Sequence, residues 1–430
     1  MKPTILFLFL FSFLSSHING QHVPTPAPNQ SQPIVIKGAI AHLGNGQVIE
    51  NSAIAFENGK ITVVGNANDR RAYPNHKEID ASGKHIYPGF IAPNTNLGLV
   101  EIGAVRATRD YSEVGSFNPN IRSIIAYNTD SEIQPTVRSM GTLLAQIVPQ
   151  SGRISGSSSI VELDAWNWED AAYALDNGLH LRWPSSYSYS WRQRRLDKNE
   201  RYNDQLEETK SFFKEAAAYM KKASSTTKNL KFEALRGIFS GGAKLFIHTN
   251  TAESIEASVM MAKSYGITPV IIGGRDAWMI TDFLKNNDVS VILGETHSLP
   301  NRQHGDIDQP FKTPAQLQKA GVLFAFSGGD NWQNRNLGFQ AGHAVSFGLE
   351  YEDAVKALTS NTAQILGVGK TVGTIAEGMD ATIFVSEGDA LDMRTATVTH
   401  AFIQGKEIDL DNKQKQLYKR FQTKYERQQN

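Results

Sequence analysis

Several short stretches of this chain carry side chains whose type and spacing suit proton transfer or ligand binding. Glu295-Thr296-His297 sets a carboxylate and an imidazole two residues apart, and on an extended segment that spacing aims both at one centre. His248 ends the apolar run Lys244–His248, where a lone histidine is more often a structural residue than a ligand. Asp330 sits in the glycine-rich turn Ser327-Gly328-Gly329-Asp330-Asn331, as a proton acceptor or as a turn aspartate taking backbone N–H bonds. Asn94 and Asn96, again two apart, close the run Phe90–Asn96. Their amide oxygens are weak zinc ligands, better suited to harder cations or to hydrogen bonds with neighbouring loops and substrate. Arg182, near the end of Gly178–Trp183, holds a permanent positive charge that repels a cation and makes it a candidate substrate contact, while His180 in the same run reads as an outward-facing strand residue.

The elements that must position these residues are apolar runs ending in polar residues. They are Phe90–Asn96, Gly141–Pro149, Ser159–Leu163, Gly178–Trp183, Lys244–His248, Thr268–Gly273, Val289–Gly294 and Val322–Phe326. Helix punctuation lies between later runs: an Asn250/Glu253 capping box with Gly266 as its stop, and Thr313-Pro314 as a start with Gly321 as its stop. Strands alternating with helices predict an α/β fold with a parallel sheet, and eight such units predict a (β/α)8 TIM-like barrel with its site at the carboxyl ends of the strands. An open doubly wound sheet is the alternative, but no Gly-x-Gly-x-x-Gly follows an early strand. Both flanks of the barrel, 34–87 and 369–410, are rich in short strand-like runs, with Asn58-Gly59 as a hairpin signal. The stretch 150–222 is irregular and carries Trp166, Trp168, Trp183 and Trp191, a hint of a peptide- or sugar-sized ligand.

Lys+Arg and Asp+Glu are both 43, so the balance points to no nucleic-acid or membrane-surface partner. Lys2 followed by the apolar run Ile5–Leu14 and small or polar residues reads as a secretory signal over 1–20, with cleavage near Gly20–Gln21 and an exported, periplasmic or secreted product. The run is short of the ~20 apolar residues a membrane span needs. Cysteine is absent, so export brings no disulfide. Residues 21–33, rich in proline, read as a linker, and the charged stretch 411–430 as an amphipathic helix lying on the barrel surface.

The stretch Pro88-Gly89-Phe90-Ile91-Ala92-Pro93-Asn94-Thr95-Asn96-Leu97-Gly98 resembles the entry strand of the amidohydrolase superfamily, in its imidazolonepropionase-like branch. Val372-Gly373-Thr374-Ile375-Ala376-Glu377-Gly378-Met379-Asp380-Ala381 resembles that family's second flank motif. The resemblance implies a barrel over 88–368 beside a β-sandwich built from 34–87 and 369–410. It implies hydrolysis of C–N bonds in amides or cyclic amides of small or peptide-like substrates, with His248 as a metal ligand and Asp330 as the group taking the proton from water. Here the family's His-x-His is Asn94-Thr95-Asn96, the sixth-strand histidine is replaced at Gly273-Gly274, and strand four offers Arg182 in place of a carboxylatable lysine. The expectation is at most one weakly held divalent ion, zinc or similar, near His248, Asp330 and Glu295 or His297. The alternative is a catalytically silent barrel that binds a ligand or a catalytic homologue, and the expected protein partners are a second copy, as a homo-oligomer, or a homologous amidohydrolase.

Overall fold

A computed structural model describes residues 25–69, 72–190, 192, 194–221, 228–299 and 305–429. The expected signal, the first residues of the linker and Trp191 lie outside the described residues. Eight strands form the central sheet: β1 (Phe90–Thr95), β2 (Thr142–Ile147), β3 (Ile154–Glu162), β4 (Ala172–Arg182), β5 (Lys244–Thr249), β6 (Val270–Gly273), β7 (Ser290–Leu293) and β8 (Phe324–Ala325). They are hydrogen-bonded in chain order from β1 to β8. Side chains of the segment after β8 reach the end of β1 and the loop that follows it, Asn334 Nδ2 donating to Thr95 Oγ1 at 2.8 Å and Asn331 Nδ2 to the Val100 carbonyl at 3.0 Å. The sheet is thus barrel-like and nearly closed.

Each expected run is a strand, but the sheet is not all parallel. β3 runs antiparallel to both β2 and β4, while the remaining neighbours are parallel. Only residues 148–153 separate β2 from β3, and a parallel pair needs a crossover of about a dozen residues. Between β3 and β4 the helix is the short Trp168–Ala171.

Strand alternation sorts the apolar side chains into two sets. Ile91, Leu144, Ile160, Phe246, Ile272, Ile292 and Ala325 pack together inside the barrel with Ile365 and Leu366 of the helix Ser360–Leu366. Their chain neighbours Phe90, Leu143, Val161, Leu245, Ile271, Val291 and Phe324 pack with Ile255, Leu284, Leu317 and Leu337 of the surrounding helices. Each fully buried side chain of this size contributes roughly 1.5–3 kcal/mol. The helix after β5, Ala252–Lys263, is capped by Thr251, whose side chain accepts from Ser254 N at 3.3 Å, one residue later than the expected cap. The helix before β8, Gln309–Ala320, begins ahead of the expected Thr313 with a proline in its first turn, and ends at Gly321 in the left-handed region.

The flanks form a four-stranded and a six-stranded sheet sharing a core of Ile36, Ile54, Phe56, Ile86, Ile383 and Phe402. The strand Ile383–Ser386 pairs antiparallel with His85–Pro88, joining the C-terminal flank to the N-terminal one. Ahead of them, Ala27 N donates to Asp164 Oδ2 at 2.8 Å and Gln30 Oε1 accepts from Gly59 N at 2.9 Å, so the described linker residues are pinned to the body. The C-terminal helix Lys413–Gln429 is held near its start by Asn412 to Ser139 at 2.9 Å and Thr136 to Gln414 at 2.7 Å. Beyond that turn, Leu417, Tyr418, Phe421 and Tyr425 are exposed, which corrects the expectation of a helix packed flat on the barrel.

Candidate active site

At the carboxyl ends of β4 and β5, Arg182 and His248 are paired in register. Leu179 and Leu181 face the helices, so His180 and Arg182 face inward. His180 is therefore not the outward residue expected. It is fully buried, stacks on Phe246 with ring centroids 4.8 Å apart, and its Nδ1 meets His248 Nε2 at 2.9 Å. One ring donates and the other accepts. Burial first, and the Arg182 charge second, keep both imidazoles well below the usual histidine range. Burial also lowers Arg182, whose Nε is enclosed without a hydrogen-bond partner.

At the end of β1 the expected i, i+2 pair is broken. Asn94 has a φ of 52° and the register slips between Ala92 and Thr95, so a bulge separates Asn94 from Asn96. Asn94 N donates to Gln146 Oε1 at 3.1 Å, and Gln146 Nε2 donates to Ser158 Oγ at 3.0 Å. Asn96 is buried with its Oδ1 unpartnered. At β6, Gly273 has a φ of 97°, and a Cβ there would strike Asn250 Oδ1 and the Thr249 carbonyl. The β5 loop lies too close for any side chain at that position.

The ends of β5 to β8 surround a cavity of about 920 Å³. Glu295 and Asp330 both line it, with Trp278, Met279, Leu293 and Pro310 as apolar walls. The Glu295 carboxyl lies over Gly329, in the space a Cβ would need. Burial raises the Glu295 pKa, and the charge of Asp330 raises it further. Asp330 is exposed, and its Oδ1 accepts from Gln333 N at 2.8 Å at the start of the 3-10 turn Gln333–Asn336. Beyond Leu293 the chain leaves strand geometry, so Glu295 and His297 part company. His297 sits against His343, ring centroids 5.3 Å apart, and its pKa is lowered by burial and by that neighbour.

Glu295 and Asp330 therefore share a cavity, His248 sits with His180 and Arg182, and His297 stands with His343. Asp276, buried on the cavity wall with Arg275 at 3.6 Å, had no role assigned from the sequence although it lies two residues after Gly274. Among the described tryptophans of the irregular stretch, Trp166 and Trp183 line other hollows and none lines this one, whose tryptophan is Trp278 from outside that stretch. Among the described residues no three His, Asp or Glu side chains gather as a metal-binding group. The donor set at the strand ends does not fit the metal that the resemblance implies. Two imidazoles are bonded to each other beside a guanidinium, and two carboxylates fall short of a three- or four-donor zinc site.

A model of the amidohydrolase family matches residues 319–408. Imidazolonepropionases of Bacillus cereus (strain B4264) and Bacillus thuringiensis (strain Al Hakam) are each 44% identical to the chain over 50 residues, a match spanning 12% of this chain and 12% of theirs. The fold is similar to that of an amidohydrolase from Thermotoga maritima MSB8, with a TM-score of 0.75 at 23% identity over 87% of this chain and 99% of that one. It is also similar to molinate hydrolase, with a TM-score of 0.55 at 15% identity over 89% of this chain and 96% of that one. Together, the family match near the C-terminus and the fold shared along most of the chain make this protein similar to the amidohydrolases.

Proposed function

We propose that this protein is a hydrolase of C–N bonds in small amides or cyclic amides, working in the cavity at the carboxyl ends of β5 to β8 of a (β/α)8-type barrel flanked by a β-sandwich. The observation that carries this reading is the Glu295–Asp330 pair facing one cavity, with the Glu295 pKa raised by burial and by its neighbour. A carboxyl group made less acidic beside a second carboxyl group can share with it the work of acid and base. Asp330 accepts a proton from water as its oxygen attacks the carbonyl carbon, and the C–N bond breaks as protonated Glu295 delivers its proton to the leaving nitrogen. Transfer of the proton from Asp330 to Glu295 resets the pair, leaving a carboxylic acid and an amine. Trp278, Met279, Leu293 and Pro310 supply apolar walls that exclude water from the rest of the substrate. The metal of the wider family has no role in these steps, because the strand-end residues do not fit it.

The test is product release from a panel of N-acyl amides and lactams. Asp330→Asn is expected to slow turnover by about 10²–10⁴-fold, the usual contribution of a positioned acid or base. No release by the unaltered protein from any member of the panel would remove the reading. The bonded His180–His248 pair favours a second reading, a silent barrel that binds a ligand or a homologous partner. Binding of panel members without product would select it. We also propose export, with a mature chain beginning near Gln21; N-terminal sequencing from the native host tests this, and a retained Met1 would contradict it. Among the described residues no helix is long and apolar enough to cross a membrane.

A further inference from the structure

Among the described residues, the inward-facing side chains at the ends of β4 and β5 bring a positive charge and hydrogen-bond donors together with no carboxylate paired to Arg182. Arg182 faces inward beside His180 and His248, and its Nε is buried with no partner. Among the described residues it makes no ion pair with any Asp or Glu, and no carboxylate figures among the influences on its charge. His180 Nε2 is likewise buried without a partner. The backbone beneath the guanidinium is fixed: Arg182 N donates to the Arg153 carbonyl and Arg153 Nη1 donates back to the Arg182 carbonyl, both at 2.8 Å. A guanidinium cannot shed its proton to escape burial, and an unpaired buried charge is costly. A position built this way is completed by an anion.

We propose that Arg182, with His180 and His248, forms an oxyanion site inside the barrel at the carboxyl ends of β4 and β5, taking the carboxylate or phosphate group of a ligand. The planar fork of arginine offers two parallel N–H bonds to such a group, and the histidine pair adds an imidazole N–H. The carboxyl pair Glu295 and Asp330 belongs to the β7 and β8 ends, across the sheet order from β4, so a bound anion is kept apart from them. The place where the resemblance leads one to expect a cation is therefore inverted in sign. This site does not depend on the hydrolase reading, since a silent binder would use it equally.

The test is thermal unfolding of the purified protein in a zwitterionic, low-salt buffer. Sodium acetate, sodium phosphate and sodium chloride are added at matched ionic strength, with zinc chloride in a separate arm. Acetate or phosphate is expected to raise the midpoint saturably beyond chloride. The larger of the two shifts identifies a carboxylate or a phosphate ligand. Arg182→Gln is expected to melt no lower than the parent without oxyanion and to lose the saturable rise, whereas Arg182→Lys keeps part of it. The proposal is overturned if neither oxyanion exceeds chloride, if the rise survives in Arg182→Gln, or if zinc stabilises the parent more than either oxyanion does. Should Arg182→Gln not fold, the ring resonances of His180 and His248 in the unaltered protein decide. They are expected to shift on adding the effective oxyanion, and unmoved resonances would overturn the site.

Discussion

His180 Nδ1 and His248 Nε2 meet at 2.9 Å across two neighbouring parallel strands, and the contact occupies one nitrogen of each imidazole. Burial and the adjacent Arg182 hold both rings neutral.

That relationship predicts acid sensitivity. Both folded-state pKa values are lowered, so below the unfolded value of about 6.5 the unfolded chain binds more protons than the folded one. Stability is full above that pH and falls as pH drops through it, by up to about 1.4 kcal/mol per pH unit for each histidine. Denaturant midpoints between pH 7 and 5 measure the slope. His180→Phe should make it shallower, and a slope unchanged by the substitution would contradict the assignment.

Gly329 is expected to resist substitution. Its φ of 74° is strained for a side chain, and a Cβ would collide with the Glu295 carboxyl. Gly329→Ala should destabilise by roughly 1–3 kcal/mol and displace Glu295, lowering turnover as well as the melting midpoint. A variant with parental stability and activity would show that the close approach is not needed.

Asn94 is expected to act through its backbone. With a φ of 52° at the bulge, Asn94→Gly should be tolerated, whereas Asn94→Ala should cost on the order of 1 kcal/mol. Unfolding midpoints of the two variants decide. If both lose equally, the amide side chain matters more than the conformation.

These outcomes mark how far the amino-acid pattern reaches. The strand runs could be read because apolar residues cluster in them and polar or turn residues flank them. Strand direction could not, since alternation assigns a face and not an orientation; the short connection 148–153 is what turns β3 around. The Asn94 bulge was hidden because counting by twos assumes an unbroken strand. Glu295 and His297 separated for the same reason, one entering the cavity and the other joining His343. The closeness of Glu295 to Asp330 depends on two loops meeting over Gly329, a contact that no local spacing encodes.

Glu295 should shape the alkaline side of the pH–rate profile. As the proposed acid it works only while protonated, and its raised pKa extends that range upward. Turnover is expected to fall as pH rises through that pKa, and Glu295→Gln should remove this limb along with most of the rate. A variant that keeps the parental alkaline limb would assign the acid to another group.

The most direct measurement is steady-state hydrolysis of the amide and lactam panel by the purified protein after exhaustive dialysis against a chelator, beside Asp330→Asn treated identically. The carboxyl pair predicts turnover that survives chelation and drops by about 10²-fold or more in Asp330→Asn. Turnover that vanishes on chelation and returns with a stoichiometric divalent metal, or that Asp330→Asn leaves intact, would contradict it.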